Sequence, residues 1–312
     1  MKHYRWIYIM AGILTGVILG PGCASSYLLS VEDALCRSGD KTRLAGKLEF
    51  KGVAVFNKGL DDRRLNFYLD DEWIGHDDTN GEGYASIKYP FTEPGTRRLR
   101  VSYPLNKSET IETSADVYIW DRGRPILIVD IDGTLCQTNN WSLMMGQEDP
   151  SPPLPGAAET LRELSEQFGV VYLTARPRDL IPKTRRWLRR NGFPAGPLLT
   201  WDVDKYPWDQ ANFKKKRIDK IQDDFNGARV GIGNTKTDRQ AYRKRKMFTI
   251  LLDPNHPPAE IDAGARVPDW RTVRRIFQAN PELATPQASY KTEVHLPVEP
   301  QATSQRPQET QK

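Results

Sequence analysis

Hydrophobic and polar residues follow three rhythms along this chain. Near the start, Lys2 and Arg5 precede a mostly apolar run from Trp6 to Leu19. Between about residues 44 and 121 the rhythm is short and partly alternating, as in Leu65-x-Phe67-x-Leu69, Tyr84-x-Ser86-x-Lys88 and Leu99-x-Val101-x-Tyr103. The runs at Val53-Ala54-Val55-Phe56 and Val117-Tyr118-Ile119-Trp120 complete the set, and turn-forming residues such as Asn80-Gly81 and Pro94-Gly95 separate its members. Short strands at regular spacing predict a small sandwich. From residue 125 the rhythm changes again. Ile126–Val129, Val170–Leu173, Ala228–Gly233 and Phe248–Leu252 are continuous β-runs, and helical spacing appears between them at Ala157–Phe168, Leu180–Arg190 and Phe213–Phe225. Continuous runs suit strands buried on both faces, and strands alternating with helices predict a parallel sheet with crossovers. Beyond about Pro281 the chain is rich in Pro, Gln and Thr without an apolar period, which predicts a disordered tail.

The run Ile126–Val129 delivers Asp130 and Asp132 onto a turn at Gly133-Thr134. Ligands of open α/β sheets bind at the carboxyl ends of strands, and residues i and i+2 of a strand face alike. Two crowded carboxylates repel unless a cation or a shared proton relieves them, which points to a divalent metal and to acid/base work. Asp-x-Asp-Gly also occurs in calcium loops, but those follow a helix and end in a glutamate. Three further pieces follow in order. Val170–Leu173 ends in Thr174-Ala175-Arg176, Asn212-Phe213-Lys214 opens a charged helix, and Ala228–Gly233 ends in Asn234-Thr235-Lys236-Thr237-Asp238. Taken singly, Thr174 reads equally as a strand end, Lys214 as one of a solvated run with Lys215, Lys216 and Arg217, and Asp238 as a residue favoured at a helix N-terminus.

In this order and spacing, Asp-Ile-Asp-Gly-Thr, Thr-Ala-Arg, Phe213-Lys214 and Gly233-Asn234-x-x-x-Asp238 resemble the haloacid-dehalogenase (HAD) superfamily, and within it the lipin-type phosphatidate phosphatases. The resemblance covers about 125–255. It implies an α/β fold: a HAD-like Rossmannoid parallel sheet with helices on both faces, preceded here by the small β-sandwich. By the same resemblance Asp130 is the nucleophile and Asp132 the general acid/base. Thr174, Ala175 and Lys214 bind phosphate, and Asp130, Asp132 and Asp238 bind Mg2+, with Asn234 holding a metal-bound water. The implied activity is magnesium-dependent phosphomonoester hydrolysis through an aspartyl-phosphate, with phosphatidate as the substrate and diacylglycerol and phosphate as products. A soluble phosphomonoester, or a non-catalytic module that binds anionic lipid, stays open as an alternative. Retention of both Asp130 and Asp132 argues against the last.

The apolar run at Trp6–Leu19 is short for a membrane span and suits the core of a signal peptide. Cys23, after Gly20-Pro21-Gly22 and before Ala24-Ser25, resembles the acylated cysteine of a bacterial lipoprotein, although leucine lies four residues before it and not three. A plain secretory signal or an uncleaved anchor is the alternative. Each version exports the protein, and lipidation of Cys23 would anchor it to a membrane facing the periplasm or cell surface. The implied organisation is a signal peptide over 1–22, a linker over 23–43, an immunoglobulin-like sandwich over 44–121, a HAD-like catalytic domain over 122–280 and a tail over 281–312. The sandwich reads best as a spacer. Three cysteines exclude a disulfide scaffold, and four histidines show no ligand spacing. The net charge of +5 collects in the second half, notably at Arg185, Arg186, Arg189 and Arg190, a face that suits anionic headgroups. Export and the lack of a reading motif disfavour nucleic acid.

Overall fold

The computed structural model describes residues 26–52, 57–137, 148–202, 209–285, 288, 291, 292 and 296. The expected signal peptide, Cys23, the run Val53–Phe56 and most of the expected tail lie outside these residues. Among the described residues no helix is long and apolar enough to cross a membrane, which says nothing of a β-barrel.

The first half is two facing sheets. One holds β1 (Tyr27–Val31), β3 (Lys41–Phe50), β4 (Lys58–Gly59) and β7 (Tyr84–Pro90), all paired antiparallel. The other runs β2 (Ala34–Arg37), β9 (Thr110–Trp120), β8 (Gly95–Pro104), β5 (Arg64–Leu69) and β6 (Glu72–Asp78), with only β2 and β9 parallel. Alternation places Leu65, Phe67 and Leu69 in one core with Leu99, Val101 and Val117, facing Leu29, Leu44 and Leu48 across the sandwich.

The second half holds a seven-stranded sheet in the order β12 (Leu198–Trp201), β11 (Gly169–Pro177), β10 (Ile126–Val129), β13 (Ala228–Gly233), β14 (Phe248–Leu252), β16 (Gly264–Val267) and β15 (Ala259–Ile261). Every pairing from β12 to β16 is parallel, and β15 is antiparallel to β16. Residues of β10 alternate between two cores, as a doubly covered strand must. Leu127 and Val129 pack with α1 (Ala157–Ser165), α2 (Ile181–Arg190) and α5 (Trp270–Ala279), while Ile126 and Ile128 pack with α3 (Gln210–Asp224) and α4 (Lys236–Lys244).

Three expectations are corrected here. The α/β class, a HAD-like Rossmannoid parallel sheet with only a small β-sandwich before it, does not describe the chain. Strand makes up 41% of the described residues against 25% helix, because nine strands and no described helix come from the first half. The large sheet is also mixed, since the chain doubles back at Asp262-Ala263-Gly264 with positive φ at Ala263 (67°). Second, the expected linker over 23–43 contains β1, β2 and the start of β3, which belong to the sandwich. Third, Pro281–Ala284 is a 3-10 turn whose Leu283 is buried in the core of the second half, so the packed chain runs past residue 280.

The sandwich packs against the second half. Glu32 and Asp33, at the turn between β1 and β2, reach into the second half. Glu32 accepts hydrogen bonds from the Thr200 N–H (2.6 Å) and from Arg217 Nη2 (2.5 Å). Asp33 accepts from Arg185 Nη2 (2.5 Å) and the Leu198 N–H (3.0 Å). The Tyr84 hydroxyl donates to Asp202 Oδ2 at 2.6 Å. Burial works against the charge on Glu32, but Arg217, Arg178 and the Thr200 N–H outweigh it and hold the carboxyl below its ordinary value of 4.5. A depressed folded pKa gives stability that is present above the unfolded value and is lost as pH falls through the folded one. Glu32→Ala should therefore lower unfolding free energy at neutral pH by about 3 kcal/mol, the low end for breaking a buried pair, and by less below pH 4.5. Urea unfolding at two pH values checks this; an equal loss at both would exclude the ionic contribution.

Candidate active site

The site is built where the central strands end. After Val129 the Asp130 N–H donates to the Ile232 carbonyl (3.0 Å), continuing the ladder for one residue beyond β10. The chain then turns tightly. Thr134 N–H donates to Ile131 O (3.1 Å), Gly133 N–H to Cys136 O (2.9 Å), and Trp270 of α5 clamps the turn from behind by donating Nε1–H to Thr134 O (2.7 Å). Gly133 has φ +78°, and a Cβ there would lie 2.0 Å from Asn234 Nδ2. The turn thus needs glycine both for its backbone and for the close approach of the neighbouring loop.

One strand end and two helices bring three charged groups together. Lys214, on the first turns of α3, points Nζ at Asp130 Oδ1 (2.7 Å) and Asp238 Oδ1 (2.5 Å). All three are buried. The helix itself is started by Asp209, whose carboxylate accepts from the Asn212 N–H. Asp238 is the third residue of α4 and closes a capping box with Thr235, whose hydroxyl donates to Oδ2 (2.7 Å). One oxygen of Asp238 thus caps the helix and the other faces Lys214. Gly233 permits this approach, because a Cβ there would meet the Asp238 side chain at 2.6 Å. The Thr134 hydroxyl is 3.3 Å from both Asp130 Oδ2 and Asn234 Oδ1.

Asp132 faces outward beside them with its side chain 29% exposed. Arg176 grips it as a fork, Nη2–H to Oδ1 at 2.7 Å and Nε–H to Oδ2 at 3.0 Å. Thr174 is buried, accepts from the Arg176 N–H (3.2 Å) and donates to Asp132 Oδ2 (3.3 Å). The expected partner of the Thr174 hydroxyl is a phosphoryl oxygen; the structure gives that hydroxyl to Asp132. Ala175 follows at the carboxyl end of β11, half-buried beside them. Asp130, Asp132, Thr174, Lys214, Asn234 and Asp238 are thus gathered at one place, while Cys23 lies outside the described residues. A cleft of about 670 Å³ lined by Tyr118, Trp120, Phe168 and Gly169 lies at the opposite, amino end of β11.

Electrostatics favour a cation here. Burial pushes the Asp130 carboxyl up to about 6, with Asp238 adding to the rise and Lys214 opposing it. Burial also works against the Lys214 ammonium, but the two carboxylates outweigh it and hold its pKa above the ordinary lysine value. Among the described residues no three His, Cys, Asp or Glu side chains form a cluster able to hold a metal by themselves. Magnesium does not require one. It keeps several waters and takes one or two carboxylates plus substrate oxygens. Asp130 and Asp238, meeting on one ammonium with the Asn234 amide beside them, are hard oxygen donors of that kind, so the residues fit the ion by donor type.

Sequence reasoning gives no role to two of the participants. Arg176 is legible as part of Thr-Ala-Arg and as one of the basic residues of this half, which the structure instead buries, and Asp149, which is fully buried and receives Arg176 Nη1–H at 2.7 Å, belongs to no motif. The expected basic docking face is also altered. Arg185 is tied to Asp33 and to Ser114 O, and Arg186 and Arg190 pair with Glu148.

Residues 127–249, less than half of the chain, match the family model of the LNS2 domain of the PITM 1-3 proteins. Over 113 residues the chain is 28% identical to nuclear elongation and deformation protein 1 of Schizosaccharomyces pombe, covering 34% of this chain and 17% of that protein. Over 43 residues it is 46% identical to a Bacillus cereus protein that bears the provisional name of a nucleotidase, covering 14% and 23%. The chain thus spans under a quarter of the length of each curated relative. Among solved structures, the Pnkp1/Rnl/Hen1 RNA repair complex is similar at TM-score 0.35 and 19% identity, over 39% of this chain and 40% of that one. The CARDB domain of PF1109 from Pyrococcus furiosus is similar at TM-score 0.23 and 12% identity, over 30% and 89%. At a coarse level, residues 127–249 are related to phosphatase-type domains.

Proposed function

We propose that this protein is an exported, magnesium-dependent phosphomonoesterase that works through an aspartyl-phosphate, with phosphatidate as its substrate and diacylglycerol and phosphate as products. The observation that carries this reading is the meeting of Asp130 and Asp238 on the Lys214 ammonium, with Asp132 beside them on the solvent side. In the first step Asp130 Oδ attacks phosphorus, the P–O bond to the alcohol breaks, and the leaving oxygen takes a proton from Asp132. In the second, Asp132 takes a proton from water, the water oxygen attacks phosphorus, and the Asp130–phosphorus bond breaks to release phosphate. Lys214 offsets the charge spread over the phosphoryl oxygens, and Thr174 and Ala175 border that group. Bound at Asp130, Asp238, the Asp132 carbonyl and, through water, Asn234, magnesium would add further positive charge there.

Acyl chains on Cys23 would hold the protein on a membrane within reach of such a lipid. A specific observation favours a soluble ester as the second reading. Arg185, Arg186 and Arg190 spend their charge on Asp33 and Glu148, which leaves less of that face for headgroups. The test is phosphate release by purified protein, with magnesium and after its chelation, from phosphatidate in mixed micelles and from a panel of soluble esters. Magnesium-dependent release from phosphatidate above all others supports the reading, and a soluble ester turned over faster selects the alternative. No release from any ester would overturn both. Metabolic palmitate label on the mature protein tests the anchor, and its absence would reject it.

A further inference from the structure

Asp149 does nothing in the chemistry just described, and no sequence motif contains it, yet it is as deeply buried as Asp238 of the site. Its side chain has no solvent exposure. One oxygen accepts Arg176 Nη1–H at 2.7 Å, the other accepts the Ser151 N–H at 2.9 Å, and its own carbonyl accepts Arg190 Nη2–H at 2.6 Å. The residue is therefore fixed at three points, two on its carboxylate and one on its backbone. The guanidinium it holds is 3% exposed, further fixed through Nη1 by the Thr184 hydroxyl (3.2 Å) and capped by Cys136 Sγ. Its remaining edge, Nε and Nη2, forks onto Asp132. A planar guanidinium anchored at one edge presents the other in a single orientation, which an ammonium on a flexible stem does not do.

We propose that Asp149 and Arg176 are positioning residues, a buried carboxylate–guanidinium strut that sets the direction of the Asp132 carboxyl toward the leaving oxygen. The inference rests on the phosphatase reading and deepens it. Three features support it over simple structural pairing. The strut ends on the only partly exposed carboxylate of the site, while its other members are sealed from water. Thr174 adds a second donor to the same carboxylate, so both Asp132 oxygens are held while its face toward solvent stays open. Arg176 itself is too deep to meet a substrate, so its effect must pass through Asp132.

Proton delivery to the leaving group matters most when that group is a poor one. An alkyl phosphate, whose leaving oxygen is strongly basic, depends on a well-aimed donor; p-nitrophenyl phosphate, whose phenolate leaves unassisted, depends on it far less. The test measures kcat and KM for both esters with the whole protein and its Asp149→Asn variant. Arg176→Lys is the second variant, because it keeps the charge while giving up the fork. Thermal unfolding establishes that each variant is folded. The expected result is a fall in kcat of about 100-fold on the alkyl ester, within the range of general acid catalysis, with KM unchanged and a several-fold smaller loss on p-nitrophenyl phosphate. An equal loss on both esters, or a change confined to KM, would overturn the strut's aiming role. So would full activity of both variants. If the unsubstituted protein turned over neither ester, the phosphatase reading would fall and take this proposal with it.

Discussion

Asp130→Asn protein should fold normally and lose essentially all phosphate release. The side chain is buried, and an amide oxygen in place of Oδ1 still accepts from Lys214 Nζ at the same distance. The fold therefore keeps its contacts, and it sheds a buried negative charge that burial already disfavours. What disappears is the nucleophile, because an amide oxygen does not form a stable bond to phosphorus that water then opens. Loss of a nucleophile reduces turnover by something on the order of 10⁵-fold. The check is phosphate release from whichever ester the wild type prefers, together with a urea unfolding curve. Activity within tenfold of wild type in well-folded, uncontaminated protein would remove the covalent mechanism.

Lys214→Ala is the second large effect, and here stability and activity fall together. Nζ is the shared partner of Asp130 and Asp238, and taking it away leaves two buried carboxylates facing each other without a cation. Breaking a buried pair in this way costs about 3–5 kcal/mol. Removing the positive charge beside the phosphoryl group should also reduce kcat by about 10²–10³-fold. Lys215 provides the control, because its side chain is 36% exposed and pairs only with Asp219 at 3.8 Å along the same helix. Lys215→Ala should change turnover less than twofold and stability by under about 1 kcal/mol. Comparable losses in the two variants would mean that the helix as a whole matters and not the ammonium at 214.

Lys214 also illustrates how much of the site a linear chain discloses. In Lys214-Lys215-Lys216-Arg217 four cations look alike, and only the place after Phe213 singles out the first. The fold separates them by helical phase, since Phe213 and Lys214 face inward with Ile218 and Ile221 while Lys216 faces solvent. Asp130 and Asp132 are legible because a continuous apolar run has one meaning and its end has a direction. Asp238 is legible as a helix-start residue, and the capping box with Thr235 is a local pattern of that kind. The pairing of Arg176 with Asp149 is not. They are 27 residues apart, and nothing periodic links a guanidinium to a carboxylate across a turn, a helix and a strand. The same applies to Glu32 and Asp33, two acidic residues in what reads as a linker, whose partners Arg217 and Arg185 lie more than 150 residues away. The fold class fails for a related reason. The strong periodic signals of the second half outweigh the weak ones of strands β1 and β2 and of the antiparallel hairpin of β15 and β16.

On this mechanism phosphate passes through a covalent bond to Asp130. Acid-quenching the protein during turnover of a phosphomonoester and mapping its peptides by mass spectrometry reads that bond directly. The expected result is a phosphoryl adduct on the peptide carrying Asp130, labile to hydroxylamine as an acyl phosphate is, and absent from Asp130→Asn protein. Phosphate release with no adduct on that peptide, or an adduct on another residue, would contradict it.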